Sequence, residues 1–378
     1  MAEGKSVQAG RSGGKLLADA LVAQGVTHAF CVPGESYLDL LDGLYSVRNR
    51  LQLVTCRFEA GAVHMAEAYG KLTGKPGVAI VTRGPGACHA AIGVHVAQQD
   101  STPMILLVGQ IPVEETDRET FQEIDYRRMF GSIAKWVTQI DDEKRIPELM
   151  AHAFDVAVSG RPGPVVIAIS EEMQKRMAGV PDIGPATILP PHPAPDAVAR
   201  MMTMLGKAKR PLAVLGGSRW SDQGKADIRD FLLANDLPVA VGFRRQGIFD
   251  GHSDNYVGDL GVGADPGLVA HAKEADLIIA IGSRLGETFS QGYTLLDMAG
   301  STPIVHVYPE QAEIGRVYRP ALGIVSDLNA FAAAAKAAPA KAVAQSKDIT
   351  SKDKARLTEL TADLKGAKEL YLMVSDLG

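Results

Sequence analysis

The sequence predicts an α/β protein built from two doubly wound domains with mostly parallel sheets. Short apolar runs alternate with helical patterns along most of the 378 residues, and a proline-rich segment separates two such units. The runs are rich in Val, Ile and Leu, which is typical of strands that helices cover on both faces. Alternation of strands and helices with short loops favours a parallel sheet.

The first alternating unit closes near Glu171. Its predicted strands are Thr27–Val32, Leu51–Cys56, Gly77–Thr82, Met104–Val108 and Pro164–Ile169. Its helical candidates include Leu38–Val47, Ala60–Leu72 and Ala87–Gln98. We assign residues 1–178 to this N-terminal domain.

Residues 179–196 carry six prolines, which predicts an extended linker. A central domain follows at 197–330. Its predicted strands are Leu212–Leu215, Leu237–Val241, Leu277–Ile281 and Ile304–Val307, and its helical candidates are Ala197–Lys207, Gly224–Asn235 and Asp265–Glu274. Residues 331–378 are predicted to be an Ala/Lys-rich linker that ends in the first strand of a further domain, at Leu372–Gly378.

Composition excludes several classes of protein. The net charge of −5 argues against a nucleic-acid or membrane-surface protein, which would carry a basic excess. There is no apolar run of about 18 residues and no apolar stretch of a secretory signal at the N-terminus. Cys31, Cys56 and Cys88 lack metal-ligand spacing, so we expect neither a disulfide scaffold nor a metal site in the chain. The expected compartment is the cytoplasm.

Three segments of the first unit together form a specific signature. They are Phe30–Glu35 (FCVPGE), Arg57–Ala62 (RFEAGA) with the helix end Ala68–Gly74, and Val81–Ala87 (VTRGPGA) with Ala97–Met104 and Val108–Gln110. In this order they resemble the pyrimidine-binding domain of thiamine-diphosphate-dependent enzymes, in the acetolactate synthase and benzoylformate decarboxylase branch. Segments 121–123 and 161–165 are similar to the same branch, and the second unit resembles its central domain. The resemblance covers roughly residues 12–330.

The resemblance implies cofactor chemistry at Glu59. A glutamate at this position bonds the pyrimidine N1′ and promotes a tautomer that removes the thiazolium C2 proton, after which the cofactor attacks a 2-keto acid. The residues alone favour a simpler interpretation, in which Glu59 is a carboxylate that stabilises a helix N-terminus, and the Arg57–Ala62 motif reverses that preference.

The other residues that the resemblance places at the cofactor form two turns. They are Pro33, Gly34, Thr82, Gly84, Pro85 and Gly86. Taken by itself, the Gly84–Gly86 turn before a helix could instead cradle a phosphate or be a simple tight turn.

Three further side chains are candidates for the substrate or active site. His89 lies where acetolactate synthases commonly have asparagine, and it could move protons or be a structural histidine. Gln110 and Gln122 match family positions near the active site, but either could be an ordinary loop amide. His64 and His95 are predicted to be structural.

The central domain of acetolactate synthases binds FAD, which we expect to be absent here. Gly216–Gly217 could admit a dinucleotide diphosphate. However, the glycine-rich stretches of the relatives are replaced by Arg245–Gly247 and Gly261–Ala264, and the turn after Arg284 reads Leu285–Glu287.

In this family, Mg²⁺ and the diphosphate bind a C-terminal domain whose Gly-Asp-Gly signature this sequence lacks. We therefore expect a truncated product, a fragment or one piece of a split enzyme, inactive alone. The leading hypothesis is thiamine-diphosphate-dependent decarboxylation or carboligation of a 2-keto acid by a homodimer or homotetramer, with Mg²⁺ from the missing domain or a partner.

Two alternatives stay open. One is a degenerate, non-catalytic chain that serves as a binding or assembly module. The other is a two-domain nucleotide-binding α/β protein, although neither a GxGxxG nor a GxxxxGKS pattern occurs.

Overall fold

The computed structural model describes residues 10–340, which belong to two compact units, 1–189 and 190–378. The first unit contains strands β1 Arg11–Ser12, β2 His28–Cys31, β3 Gln52–Thr55, β4 Gly77–Val81, β5 Met104–Gln110, β6 Trp136–Ile140, β7 Pro164–Ser170 and β8 Met177–Ala178. Its helices are α1 Gly13–Ala23, α2 Leu38–Ser46, α3 Glu59–Thr73, α4 Pro85–Asp100, α5 Tyr126–Phe130, α6 Ile146–Val158 and α7 Glu171–Lys175.

Six of these strands form one parallel sheet in the order β3-β2-β4-β5-β7-β6. Strands β1 and β8 form a separate antiparallel pair. Successive residues of a strand point to opposite faces, so Val78 and Ile80 of β4 pack in one core, and Ala79 and Val81 pack in the other. Helices α1, α2 and α6 contribute to the first core, and α3, α4 and α5 to the second. Both faces are therefore covered, as the apolar runs predicted.

The second unit repeats this architecture with a different strand order. Its strands are β9 Pro211–Leu215, β10 Val239–Gly242, β11 Tyr256–Leu260, β12 Leu277–Ile281, β13 Ile304–Tyr308 and β14 Leu322–Val325. Its helices are α8 Pro195–Leu205, α9 Asp222–Ala234, α10 Pro266–Glu274 and α11 Leu328–Ala337. The strands are all parallel, in the order β11-β10-β9-β12-β13-β14. Helices α8, α9 and α11 cover one face, and α10 lies on the other.

The predicted fold class is confirmed, and every strand predicted within residues 10–340 is present. In the two six-stranded sheets, the strands that sequence analysis missed are β6, β11 and β14, and each lies at an edge of its sheet. The two-residue strands β1 and β8 were also missed. Edge strands have one partner and are less apolar; β14, for example, alternates buried and exposed residues. Their sequences therefore lack the continuous apolar run on which the prediction depended.

The predicted domain limits stay a prediction, although α11 continues past residue 330 to Ala337 and packs Phe331, Ala332 and Ala335 in the core of the second unit. The predicted linker beyond residue 340 and the predicted strand at Leu372–Gly378 lie outside the described residues.

Candidate functional site

The strand order of the first unit reverses direction between β2 and β4. In open α/β sheets, ligands bind at the carboxyl ends of the strands beside such a switch point. Strand β2 leads into Pro33 and Gly34, and β4 leads into the turn 82–86. The two turns that the sequence assigned to the cofactor are thus brought to one place in the fold.

These two turns are in direct contact. A Cβ placed on Gly34 would lie 2.5 Å from the Cβ of Thr82, so no residue larger than glycine fits at position 34. The hydroxyl groups of Ser36 and Thr82 are 2.9 Å apart and share a hydrogen bond. Gly84 has φ of +56° and packs against Gln122, which itself has φ of +66°. The turn 82–86 is therefore packed closely between Gly34 on one side and Gln122 on the other.

Glu59 is the first residue of α3, and its side chain is only 13% exposed. Its Oε2 is 3.0 Å from Nδ1 of His89, on the first turns of α4. Its Oε1 faces the turn: a Cβ on Gly86 would lie 3.4 Å from this oxygen and 3.0 Å from Cγ2 of Thr82. In the described part of the chain, Oε1 has no hydrogen-bond donor.

His89 is 51% exposed, and its ring lies against the ring of Phe58 with the centroids 4.9 Å apart. Phe58 is the N-cap residue of α3 and makes no side-chain capping hydrogen bond. The contacts of His89 thus come from two adjacent residues, Phe58 and Glu59. They hold the imidazole between the Glu59 carboxylate and solvent.

The structure gives the two glutamine candidates backbone contacts. Gln110 is buried; its Nε2 donates to the carbonyl oxygen of Ile124 and its Oε1 accepts from the backbone N–H of Ile111, both at 2.9 Å. Gln122 contacts Gly84 through its backbone and Cβ. Both residues therefore shape the loops around the turn, and direct contact with a substrate stays a prediction for each.

Sequence analysis missed Arg83, which is 9% exposed. Its guanidinium is 3.3 Å from a carboxylate oxygen of Glu171, at the end of β7, and 3.5 Å from one of Glu35. The cation thus joins the ends of three strands, β2, β4 and β7. Arg83 could have been selected from the sequence because it is a charged residue in a turn of otherwise small residues. A charge that is buried in such a turn needs an oppositely charged partner.

Tyr126 was missed as well. Its hydroxyl accepts a hydrogen bond from the backbone N–H of Gly84 at 3.0 Å, and burial raises the pKa of Tyr126 to about 12. The phenol therefore stays neutral and supports the turn.

The corresponding switch point of the second unit lies between β9 and β12, and its two glycines pack closely against other parts of the chain. A Cβ on Gly216 would lie 2.7 Å from Cα of Ser283, and one on Gly217 would lie 2.6 Å from Cδ1 of Leu328. The indole N–H of Trp220 donates to the carbonyl oxygen of Gly216 at 2.9 Å. Packing within the chain accounts for these glycines without a ligand.

Residues 10–340 contain neither a metal-binding cluster nor a membrane-spanning helix. No cluster of three or more His, Cys, Asp and Glu side chains in that range could hold a metal ion. None of the helices there combines the length and apolarity needed to cross a membrane.

Comparison with known proteins agrees with this geometry. Residues 11–129 match the N-terminal TPP-binding domain of thiamine pyrophosphate enzymes, and residues 198–335 match their central domain. The chain is 31% identical over 323 residues to the acetolactate synthase isozyme 2 large subunit of Escherichia coli K12, a match that covers 85% of this chain and 58% of the relative. It is 32% identical to the acetolactate synthase large subunit of Parasynechococcus marenigrum, covering 84% and 52%, and 28% identical to acetolactate synthase of Bacillus subtilis, covering 84% and 55%.

The chain thus spans little more than half the length of these relatives. Both family matches fall on the two units, and the first includes the switch point that carries Glu59 and the turn 82–86. The chain therefore belongs to the thiamine pyrophosphate enzyme family, of which it carries the N-terminal TPP-binding domain and the central domain.

Proposed function

We propose that this chain is part of an enzyme that uses thiamine diphosphate to decarboxylate a 2-keto acid or to join it to a second carbonyl compound. When bound, thiamine diphosphate supplies the carbanion chemistry that these reactions need. Membership of the family and the relatives named acetolactate synthase support this proposal. The observation that carries it is the placement of Glu59, with one carboxylate oxygen unpaired, beside Gly86 at the switch point.

The residues present fit the pyrimidine end of the cofactor. Oε1 of Glu59 is available to bond a ring nitrogen, since Oε2 is taken by His89. Gly86 leaves the space beside Oε1 open, because any side chain there would press on Glu59 and Thr82. We propose that Pro33, Gly34, Thr82, Gly84, Pro85 and Gly86 line this position.

In this arrangement Glu59 holds and releases a proton at Oε1. Its side chain is largely shielded from water, which strengthens a hydrogen bond to a ring nitrogen. Arg83 and Tyr126 keep the turn in place, and Glu59 alone is proposed to exchange the proton with the cofactor. His89 is proposed as an active-site residue that contacts Glu59, and Gln110 and Gln122 as residues that shape the adjacent loops.

For the diphosphate end we propose Mg²⁺ bound by a further domain or a partner chain, as the resemblance implies. Mg²⁺ prefers oxygen ligands and commonly bridges protein carboxylates and substrate phosphates.

We propose that the central domain does not bind FAD. The glycines at its switch point are in contact with Ser283, Leu328 and Gly282, and Trp220 donates to the carbonyl of Gly216. The purified protein should be colourless after gel filtration, and a retained flavin absorption band would contradict the proposal.

We also propose a homodimer or homotetramer. The apolar side chains of Phe58, Met65 and Leu72 follow α3 at seven-residue spacing and are exposed, as is Ile92 on the neighbouring α4. Such a row of exposed apolar groups is typical of an interaction surface. Light scattering of the purified chain tests the oligomeric state.

The three cysteines are free thiols, which supports a cytoplasmic location. Oxidation-state analysis of the protein in its native cell tests this: a natural disulfide between chains would contradict it.

The test of the catalytic proposal is Glu59→Gln in the holoenzyme. Losing a proton-transfer group should slow exchange of the cofactor C2 proton by about 10²-fold or more while the fold is kept. Glu67→Gln is the matched control, since Glu67 is a buried glutamate on the same helix that accepts from Thr102 instead. Exchange at the parent rate in Glu59→Gln would leave Glu59 as a helix-terminal carboxylate only.

A further inference from the structure

Glu59 and His89 form a hydrogen-bonded pair that uses only one of the two carboxylate oxygens of Glu59. Oε2 of Glu59 lies 3.0 Å from Nδ1 of His89, while Oε1 points toward Gly86. The Glu59 side chain is 13% exposed and the His89 side chain 51%. The His89 side chain therefore connects the shielded Glu59 carboxylate directly to solvent.

The imidazole is held in this position by the chain around it. The ring of Phe58 lies against it, and Phe58 directly precedes Glu59, so both contacts come from the start of α3. Nε2 of His89 has no hydrogen-bond partner in residues 10–340, and its ring is half exposed. Nδ1 is thus bound inward, and Nε2 is left to exchange with water.

We propose that His89 is a proton relay for Glu59, through which Glu59 exchanges protons with solvent. This role rests on the proposed function, because it presumes that Glu59 gains and loses a proton during catalysis. His89 acts through Glu59 and is a positioning residue in that sense, with no contact to the substrate required.

The transfer conserves protons and charge. Glu59 gains its proton at Oε1, and rotation of the carboxyl group about the Cγ–Cδ bond then brings this O–H to the position beside His89. There the neutral Nε2–H imidazole takes the proton on Nδ1 and becomes an imidazolium beside a carboxylate. The imidazolium then releases its Nε2 proton to water, which leaves the Nδ1–H tautomer donating to the ionised Glu59. In the reverse direction Nε2 takes a proton from water, the Nδ1 proton passes to the carboxylate oxygen beside it, and the same carboxyl rotation turns this O–H toward Gly86. No oxidant, metal or further reactant is needed.

The neighbouring phenol of Tyr37 does not compete with His89 as a proton carrier. Tyr37 is close enough to interact electrostatically with Glu59, but its hydroxyl donates to the carbonyl oxygen of Val32. Burial raises the pKa of Tyr37 well above its ordinary value, so it stays neutral.

The first experiment measures the hydrogen bond between Glu59 and His89 in the chain without cofactor. Nitrogen-15 NMR distinguishes the two neutral imidazole tautomers, because the protonated and unprotonated ring nitrogens have separate shifts. At alkaline pH, His89 should be the Nδ1–H tautomer, which its hydrogen bond to ionised Glu59 selects. In Glu59→Ala this preference should be lost. The His89→Asn spectrum assigns the signal. Identical tautomers in the parent chain and in Glu59→Ala would overturn the pairing.

The second experiment separates a relay from a purely positional hydrogen bond. Asn at position 89 keeps an N–H donor near Oε2 but cannot pass a proton through its side chain. In the holoenzyme, a relay predicts that His89→Asn and His89→Ala both slow C2 proton exchange by about 10²-fold, at the lower end of the range for proton-transfer groups. Added imidazole should restore the rate of His89→Ala in proportion to its concentration. His95→Asn is the matched control, an exposed histidine on the same helix.

The two hypotheses fail in different ways. A parent exchange rate in His89→Asn, together with slow exchange in Glu59→Gln, would remove the relay and leave the proposed function intact. A parent rate in Glu59→Gln would remove the proposed function, and the relay with it, although the NMR result would still report the hydrogen bond.

Discussion

The two units share one architecture and differ at the place where each sheet can bind a ligand. Both are six-stranded parallel sheets covered by helices on both faces. At the first switch point, Gly86 borders an unpaired carboxylate oxygen of Glu59. At the second, Gly217 borders Cδ1 of Leu328. Glycine is present at both, but the Cβ position of Gly86 lies beside a carboxylate oxygen, whereas that of Gly217 lies against an apolar side chain.

A glycine turn at the end of a strand therefore does not by itself identify a binding site. Its meaning depends on which atoms a Cβ would meet. Beside Gly86 these are Thr82 and a carboxylate that can bond a ligand; beside Gly216 and Gly217 they are backbone and an apolar side chain. The predictions below test this contrast, beginning with the largest expected effect.

Gly86→Val should close the space beside Oε1 of Glu59. The branched side chain would press on the Thr82 methyl group and the Glu59 carboxylate, so we expect the affinity for thiamine diphosphate to fall about 100-fold in the holoenzyme, which is about 2.8 kcal/mol. Calorimetry with Mg²⁺ present measures it, and circular dichroism checks the fold. Gly61→Val is the control, since Gly61 lies on α3 with open space around its Cβ position. Equal affinities would show that Gly86 does not border the cofactor.

Gly217→Ala should destabilise the second unit without any ligand. The added Cβ would overlap Leu328, and φ of +79° is strained for alanine, so the expected loss is about 2 kcal/mol in the free energy of unfolding. Urea unfolding followed by Trp220 fluorescence in a Trp136→Phe background reports this unit, because the chain has only these two tryptophans.

In the double variant Gly217→Ala with Leu328→Ala, the loss in the free energy of unfolding should be smaller than the sum of the losses in the two single variants. The reason is that the shorter side chain at position 328 relieves the overlap. Strict additivity would contradict the close contact between Gly217 and Leu328.

The smallest expected effect is a pH dependence of the second unit at His306. Burial lowers the pKa of His306 below its ordinary value, and its Nε2 lies 2.9 Å from the carbonyl oxygen of Ser283. The unfolded chain therefore binds a proton, from about pH 6.5 downward, that the folded unit resists. Stability is complete above that pH and is lost as the pH falls toward the folded pKa.

Urea unfolding at descending pH, read through Trp220, measures this loss. His306→Gln should flatten the dependence, since glutamine does not titrate. An unchanged slope in the variant would assign the pH dependence to other groups.

Much of the fold and part of the site could be predicted from the sequence. Apolar runs identified the central strands because a strand covered on both faces must be apolar at successive positions, as in β4 and β5. The edge strand β6 was missed because Thr138 and Gln139 interrupt its apolar run. Glu59, Gly84 and Gly86 could be selected because they form part of a motif that is specific as a set.

Contacts between distant segments could not be predicted in the same way. Arg83 has carboxylates from Glu35 and Glu171 within 3.5 Å, and these residues are far from it in sequence. Gln110 was selected as a possible active-site amide, but both ends of its amide bind backbone, because the chain at Ile124 folds back over β5.

By itself, the sequence determined the two parallel sheets, their strand and helix alternation, and the residue types available at the end of each strand, because burial imposes periodicity along the chain. The tertiary structure was needed to show which carboxylate oxygen of Glu59 is free, that His89 contacts the other, and that Leu328 packs against Gly217. These three contacts join segments that are distant in the sequence. The periodicity of apolar residues within a segment carries no information about its distance from another segment.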